Sequence, residues 1–115
     1  MQVKDIKKAL KNIINPLPVY VRGYDLDDYN QYTVEVVKAE EGDYSLVLYI
    51  KTYTNDDRPA IDTDYLGGLV SAIPDNYEIE VIGIDSTLDP DINLTDVGVE
   101  KIYSGEVFLL ADYNA

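Results

Sequence analysis

Asp89, Asp91, Asn93 and Glu100 stand at the first, third, fifth and twelfth places of one loop. That is the spacing by which hard oxygen donors wrap a calcium ion in an EF-hand loop. Two places break the pattern. The sixth, where glycine makes the sharp turn, is Leu94, and the eighth, normally apolar, is Asp96. A strand pattern, not a helix, follows Glu100. The competing reading is an Asp/Asn-rich loop whose side chains bond their own backbone. No metal is assigned, and this set stays a weak calcium candidate. The neighbouring triplet Asn93-Leu94-Thr95 matches a glycosylation sequon by chance.

Two further carboxylate groups, Asp25 with Asp27 and Asp28, and Asp56 with Asp57, invite an acid–base reading. Such a pair works only where surroundings push the two pKa values apart. The chain offers no histidine, no tryptophan and only the arginines Arg22 and Arg58, so solvated acidic loops are the better account. With no cysteine there is no thiol nucleophile, zinc-thiolate site or disulfide. The serines have no histidine to activate them. The chain is expected to be non-enzymatic and to carry no cofactor.

Charge is unevenly divided. The net charge is −13. Residues 1–15 hold four lysines (Lys4, Lys7, Lys8, Lys11) against Asp5, a net of +3. The remainder holds 5 basic and 21 acidic side chains, a net of −16. Such a body repels phosphate backbones, which argues against direct nucleic-acid binding. It suits a soluble surface, a surface that DNA slides past, or a mimic of DNA. The lysines are either a solvated helix face or a handle for an acidic partner, including a second copy. Eleven tyrosines suit half-exposed strands and interfaces. No apolar stretch is long enough to span a membrane and no signal peptide is visible, so a cytosolic site of synthesis is expected.

The elements that must position these groups form one expected domain, residues 1–115. Residues 43–54 give the strongest strand signal. The unbroken run Leu46, Val47, Leu48, Tyr49, Ile50 predicts a strand at the centre of a sheet with packing on both faces. Before it, residues 3–14 predict a helix, with Val3, Ile6, Leu10, Ile13 and Ile14 on one face, stopped by Pro16 and Pro18. Residues 17–22 and 31–39 predict strands. Glu40, Glu41, Gly42 and Asp43 predict a tight hairpin turn, with Gly42 suited to positive φ.

Residues 64–73 predict a second helix, capped by Thr63 or Asp62, with Tyr65, Leu66, Leu69, Val70 and Ile73 on its apolar face. Gly67 and Gly68 inside it cost about 2 kcal/mol of helix propensity, which predicts close approach of that helix to the sheet. Residues 77–84 predict a strand, and residues 85–98 a long connection. Residues 100–112 predict a last strand with a bulge or bend at Ser104 and Gly105. The fold class is therefore α+β: a mixed or antiparallel sheet of about five strands with two helices packed on it, in the order α-β-β-β-α-β-β.

This order resembles the tail-terminator and tail-completion proteins of long-tailed bacteriophages. It is carried by a short helix ending before Pro-Leu-Pro-Val-Tyr-Val (residues 16–21), a hairpin, the Tyr-Leu-Gly-Gly-Leu-Val helix (residues 65–70) and the closing strands. The resemblance implies a virion structural protein of the tail or neck, made in the host cytoplasm. It would form a homohexameric ring that caps the tail tube and contacts the head connector. Candidate contact residues are Lys4, Lys7, Lys8 and Lys11, the hairpin tip at Glu40, Glu41 and Asp43, and the long loop at Asp89 and Asp91. Charge reversal at Lys7, Lys8 and Lys11 is expected to weaken assembly without unfolding the monomer. The alternative is an acidic DNA-mimic inhibitor of anti-restriction or anti-CRISPR type.

Overall fold

The computed structural model describes residues 1–83, 90–94 and 97–112. In chain order it runs α1 (Val3–Leu10), β1 (Val19–Tyr24), β2 (Gln31–Glu41), β3 (Ser45–Ile50), α2 (Thr63–Val70), β4 (Glu78–Gly83), β5 (Val99–Ser104) and β6 (Phe108–Asp112). The class is α+β, with two helices on a mixed sheet ordered β4-β3-β2-β1-β6-β5. Among the described residues there are six strands where about five were expected. The bend foreseen at Ser104 and Gly105 is a complete reversal, in which Gly105 N–H donates to Val107 O at 3.1 Å and Tyr103 pairs with Leu109 across it. β1 pairs with β6, and β3 with β4, in parallel; the other ladders are antiparallel.

β2 belongs to two half-sheets. Up to Glu35 it pairs with β1; from Val36 onward it pairs with β3. The register shifts between Val36 and Lys38, and such a bulge bends the strand and increases its twist. The opening between β1 and the second half of β2 is closed by Ile61. Its N–H donates to Val36 O at 2.8 Å, and its own carbonyl accepts from Val19 N–H at 2.9 Å. A single residue thus satisfies ladder groups that the bend would leave unpaired.

The strand at 45–50 lies second from an edge, between β2 and β4, rather than at the centre. Leu46, Leu48 and Ile50 face the core, as period-two alternation requires. Its other face is met by side chains of the neighbouring strands. Val47 is flanked across the ladders by Glu40 and Glu80. The Tyr49 hydroxyl donates to Glu40, and Lys38 sits over the Tyr49 ring. Cross-strand side chains do the covering there.

Both helices are shorter than their apolar patterns. α1 gives way after Leu10 to i→i−3 bonds, Asn12 N–H to Ala9 O at 3.4 Å and Ile13 N–H to Leu10 O at 3.1 Å, a tightened last turn before the backbone that Pro16 restricts. Val3 and Ile6 are buried and Ile13 half-buried, but Ile14, placed on the apolar face by spacing, is 94% exposed. α2 is capped by Asp62, whose carboxylate accepts Tyr65 N–H at 2.9 Å. Thr63 instead accepts Leu17 N–H at 3.0 Å. Leu66, Val70 and Ile73 are buried, while Tyr65 faces outward. The core is continuous, with Phe108, Leu46, Leu48, Ile50, Leu66 and Leu94 among its fully buried side chains. Among the described residues no helix is long and apolar enough to cross a membrane.

Candidate assembly surfaces

The loop with the calcium spacing is spent on holding the fold. Asp91 accepts Thr54 N–H and the Thr54 hydroxyl, both at 2.9 Å, which hold its carboxyl below the usual range. Asn93 N–H donates to Asp25 Oδ2 at 2.7 Å, and the Asn93 amide donates to Asp27 at 3.3 Å. Leu26 N–H donates back to the Asn93 carbonyl at 3.0 Å. Leu94, which breaks the EF-hand pattern, is fully buried in the core and anchors the segment. Glu100 points elsewhere, 4.0 Å from the N-terminal ammonium. Asp89 lies outside the described residues. Among the described residues no group of three acidic or histidine side chains is gathered as a metal site.

Asp25 is the hub of that region and is only 3% exposed. Its carboxylate accepts N–H groups from Asn93, from Asp27 at 2.7 Å and from Asp28 at 3.1 Å. The Asn93 bond acts most strongly in holding its pKa below the usual carboxylate value; burial opposes it, and the Asp27 and Asp28 bonds add to the lowering. It behaves as a fixed turn-builder, not as an acid–base group. Asp56 is likewise engaged: Arg58 grips it at 3.0 and 2.6 Å, holding its pKa down to about 2.

The lysine helix divides in two. Lys7 is not a free handle: its ammonium donates to Ile73 O at 2.7 Å and Asp75 Oδ1 at 2.6 Å. Its reversal would therefore disturb the monomer, which corrects the expectation of a purely interfacial lysine. Lys4, Lys8 and Lys11 are exposed. Between α1 and α2 run two adjacent open hollows of about 340 and 200 Å³, which share Leu10 and Gly67 in their walls. Lys7, Lys11 and Val70 line the first; Ile13, Asp64 and Gly68 line the second.

The glycine pair is not explained by contact with the sheet. A Cβ on Gly67 would meet Leu10 Cδ1 at 3.9 Å, an ordinary contact, and one on Gly68 would meet nothing within 4 Å. What the glycines leave open is the floor of this groove.

The hairpin tip departs from its predicted geometry as well. Gly42 does not take positive φ; Tyr44 does, at 59°. Gly42 is needed for room, because a Cβ there would sit 2.8 Å from Ser45 Oγ and 2.9 Å from Val47 Cγ2. Tyr44 meets Tyr77 with the rings tilted at 57° and their centroids 5.8 Å apart, yet stays 78% exposed. Glu41 and Asp43 beside it are exposed, whereas Glu40 is held by Tyr49 and Lys38. Nothing in the spacing marked Tyr44; its only signal was a bulky residue two places after a turn glycine.

No known family model, curated protein or solved structure matches this chain.

Proposed function

We propose that this protein is a non-enzymatic virion assembly component, a tail-terminator or head–tail joining subunit that closes into a ring and caps the tail tube. The observation that carries this reading is the separation of charge on one fold. Exposed Lys4 and Lys8 lie on α1 and Lys11 at its C-cap, with exposed Glu41 and Asp43 on the β2–β3 tip. A head-to-tail contact needs two such unlike, complementary surfaces on each copy, and its repetition closes a ring when the rotation between copies divides a full turn. The element order supports the same assignment, with the last predicted strand split into a hairpin. A strongly acidic body around a lumen would let DNA pass without adhering. The ring would meet the tail tube on one side and the head connector on the other.

The outer sheet face gives the DNA-mimic alternative little support. Glu35 is paired with Lys51 at 3.4 Å, and Glu40 with Lys38 at 3.5 Å, so these carboxylates do not form a free row.

Native mass spectrometry over a concentration series at moderate salt, with negative-stain imaging, tests the proposal. Six-fold rings are expected. A monomer throughout, together with capture of a basic nucleic-acid enzyme, would replace this reading with the mimic.

A further inference from the structure

Tyr29 and Tyr44 both take positive φ, at 60° and 59°. Tyr44, at the β2–β3 tip, and the Gly67-Gly68 pair of α2 break local backbone rules in opposite directions. A tyrosine occupies a left-handed turn position that glycine would fill without strain. Two glycines occupy a helix interior that alanine would fill to advantage, and no packing demands them. Tyr44 meets Tyr77 yet stays mostly exposed, and no close contact demands either glycine, so both places point to a requirement outside the monomer.

The shapes and charges of the two places match. Tyr44 is a protruding aromatic knob with Glu41 and Asp43 beside it. The α1/α2 groove is floored by Leu10, Gly67 and Val70, with Lys7 and Lys11 in its wall and Lys8 exposed on the same helix. The positive field there is already felt inside the molecule. Lys7 chiefly, with Lys4 and Lys11 further off, holds the Asp75 carboxyl below its usual pKa.

We propose that Tyr44 of one copy seats in the α1/α2 groove of the next, over Gly67 and Gly68, with Asp43 and Glu41 facing Lys11 and Lys8. This rests on the ring reading above and names the lateral contact that would build it. The contact is heterologous: knob and groove are different surfaces, so every copy offers one of each. Aromatic anchors in apolar pockets with charged rims are the usual energetic centre of such contacts.

The test uses substitutions that leave or improve the monomer. Tyr44→Gly removes the knob and relieves the positive φ. Gly68→Leu fills the groove where a side chain meets open space. Both are expected to keep or raise the melting temperature while weakening self-association by about tenfold or more, measured by sedimentation velocity or native mass spectrometry. Lys11→Glu and Asp43→Lys are each expected to weaken association, and the double variant to regain it. If the native chain forms rings and both Tyr44→Gly and Gly68→Leu still do so at the same concentrations, the docking is overturned while the ring reading stands. If the native chain never associates, both fall.

Discussion

The sheet is closed on its inner side by two different devices. At the β2-β3-β4 side the cover is helical. α2 lies against β2, and α1 is tied to the start of β4 through Val3 N–H to Tyr77 O at 2.8 Å and Lys4 N–H to Asp75 O at 3.0 Å. At the β1 end the cover is irregular chain. Ile92 N–H reaches Thr52 O at 3.0 Å, Leu94 is fully buried, and Val97 lies on Gly23. A helix satisfies its own backbone and needs only one apolar stripe to dock. An irregular cover must find partners for its backbone groups elsewhere, which is why Asp25, Asp27, the Thr52 carbonyl, Thr54 and Asp91 all serve it, although the Thr52 hydroxyl is buried without a partner among the described residues. Acidic side chains that look like chemistry in the sequence are the means of holding a loop over a core.

That contrast can be broken first at its anchors. Leu94→Ala is expected to cost about 2–5 kcal/mol. Hydrogen exchange should show residues 90–94 and the end of β1 opening while α1 and α2 stay protected. Equal loss of protection in both regions would show that the two covers are one cooperative unit.

The glycines of the two regions should then answer oppositely to alanine. A Cβ on Gly23 would lie 2.9 Å from Val97 Cγ2, so Gly23→Ala is expected to destabilise by about 1–3 kcal/mol in urea unfolding. Gly67→Ala, with only an ordinary contact at Leu10, should stabilise by about 0.5–1 kcal/mol. A loss at both sites would mean that the helix groove is as tightly packed as the loop cover.

Asp25 sharpens the comparison through pH. Asp25→Asn leaves backbone N–H groups with a poorer acceptor and should cost about 1–3 kcal/mol at neutral pH. The native pKa is lowered, so the carboxylate's contribution is complete above the ordinary carboxyl value of about 4. It is lost as pH falls through the depressed folded value. The stability gap between wild type and Asp25→Asn should therefore narrow on acidification below about pH 4. A gap constant with pH would mean that the ionised form is not what holds the turn. The smallest effect is expected from Lys8→Ala, an exposed residue, which should alter the monomer's stability by less than about 0.5 kcal/mol. Lys7→Ala, which frees Asp75 and the Ile73 carbonyl, should lower the melting temperature visibly more.

Much of the helical region was legible along the chain. The 3.6-residue spacing of Val3, Ile6, Leu66 and Val70 picked out faces that are indeed buried, and the run at 46–50 marked a strand. These are local signals, because a regular element repeats its own pattern. The reversal at residues 105–107 reads along the chain only as a bend, since Ser104 and Gly105 suit a bulge within one strand as well as a turn between two. The loop cover was illegible for a different reason. Leu94 reads as a fault in a metal loop until it is seen to be a core residue, and Asp25 reads as a solvated carboxylate until Asn93 arrives from 68 positions away.

By itself the sequence determined the composition-level facts: a predominantly acidic body, a basic first helix, no histidine or cysteine chemistry, and apolar periodicities that fix which faces seek the core. Only the tertiary structure decided the placement of β3 beside the edge, the bend of β2 with Ile61 closing the gap, the tying of Lys7 to Asp75, and the positive φ at Tyr44 rather than at Gly42. The physical reason is range. Periodicity and charge act through neighbours along the chain. Ladder partners, buried hydrogen bonds and the room a side chain finds are set by residues that meet only when the chain has folded.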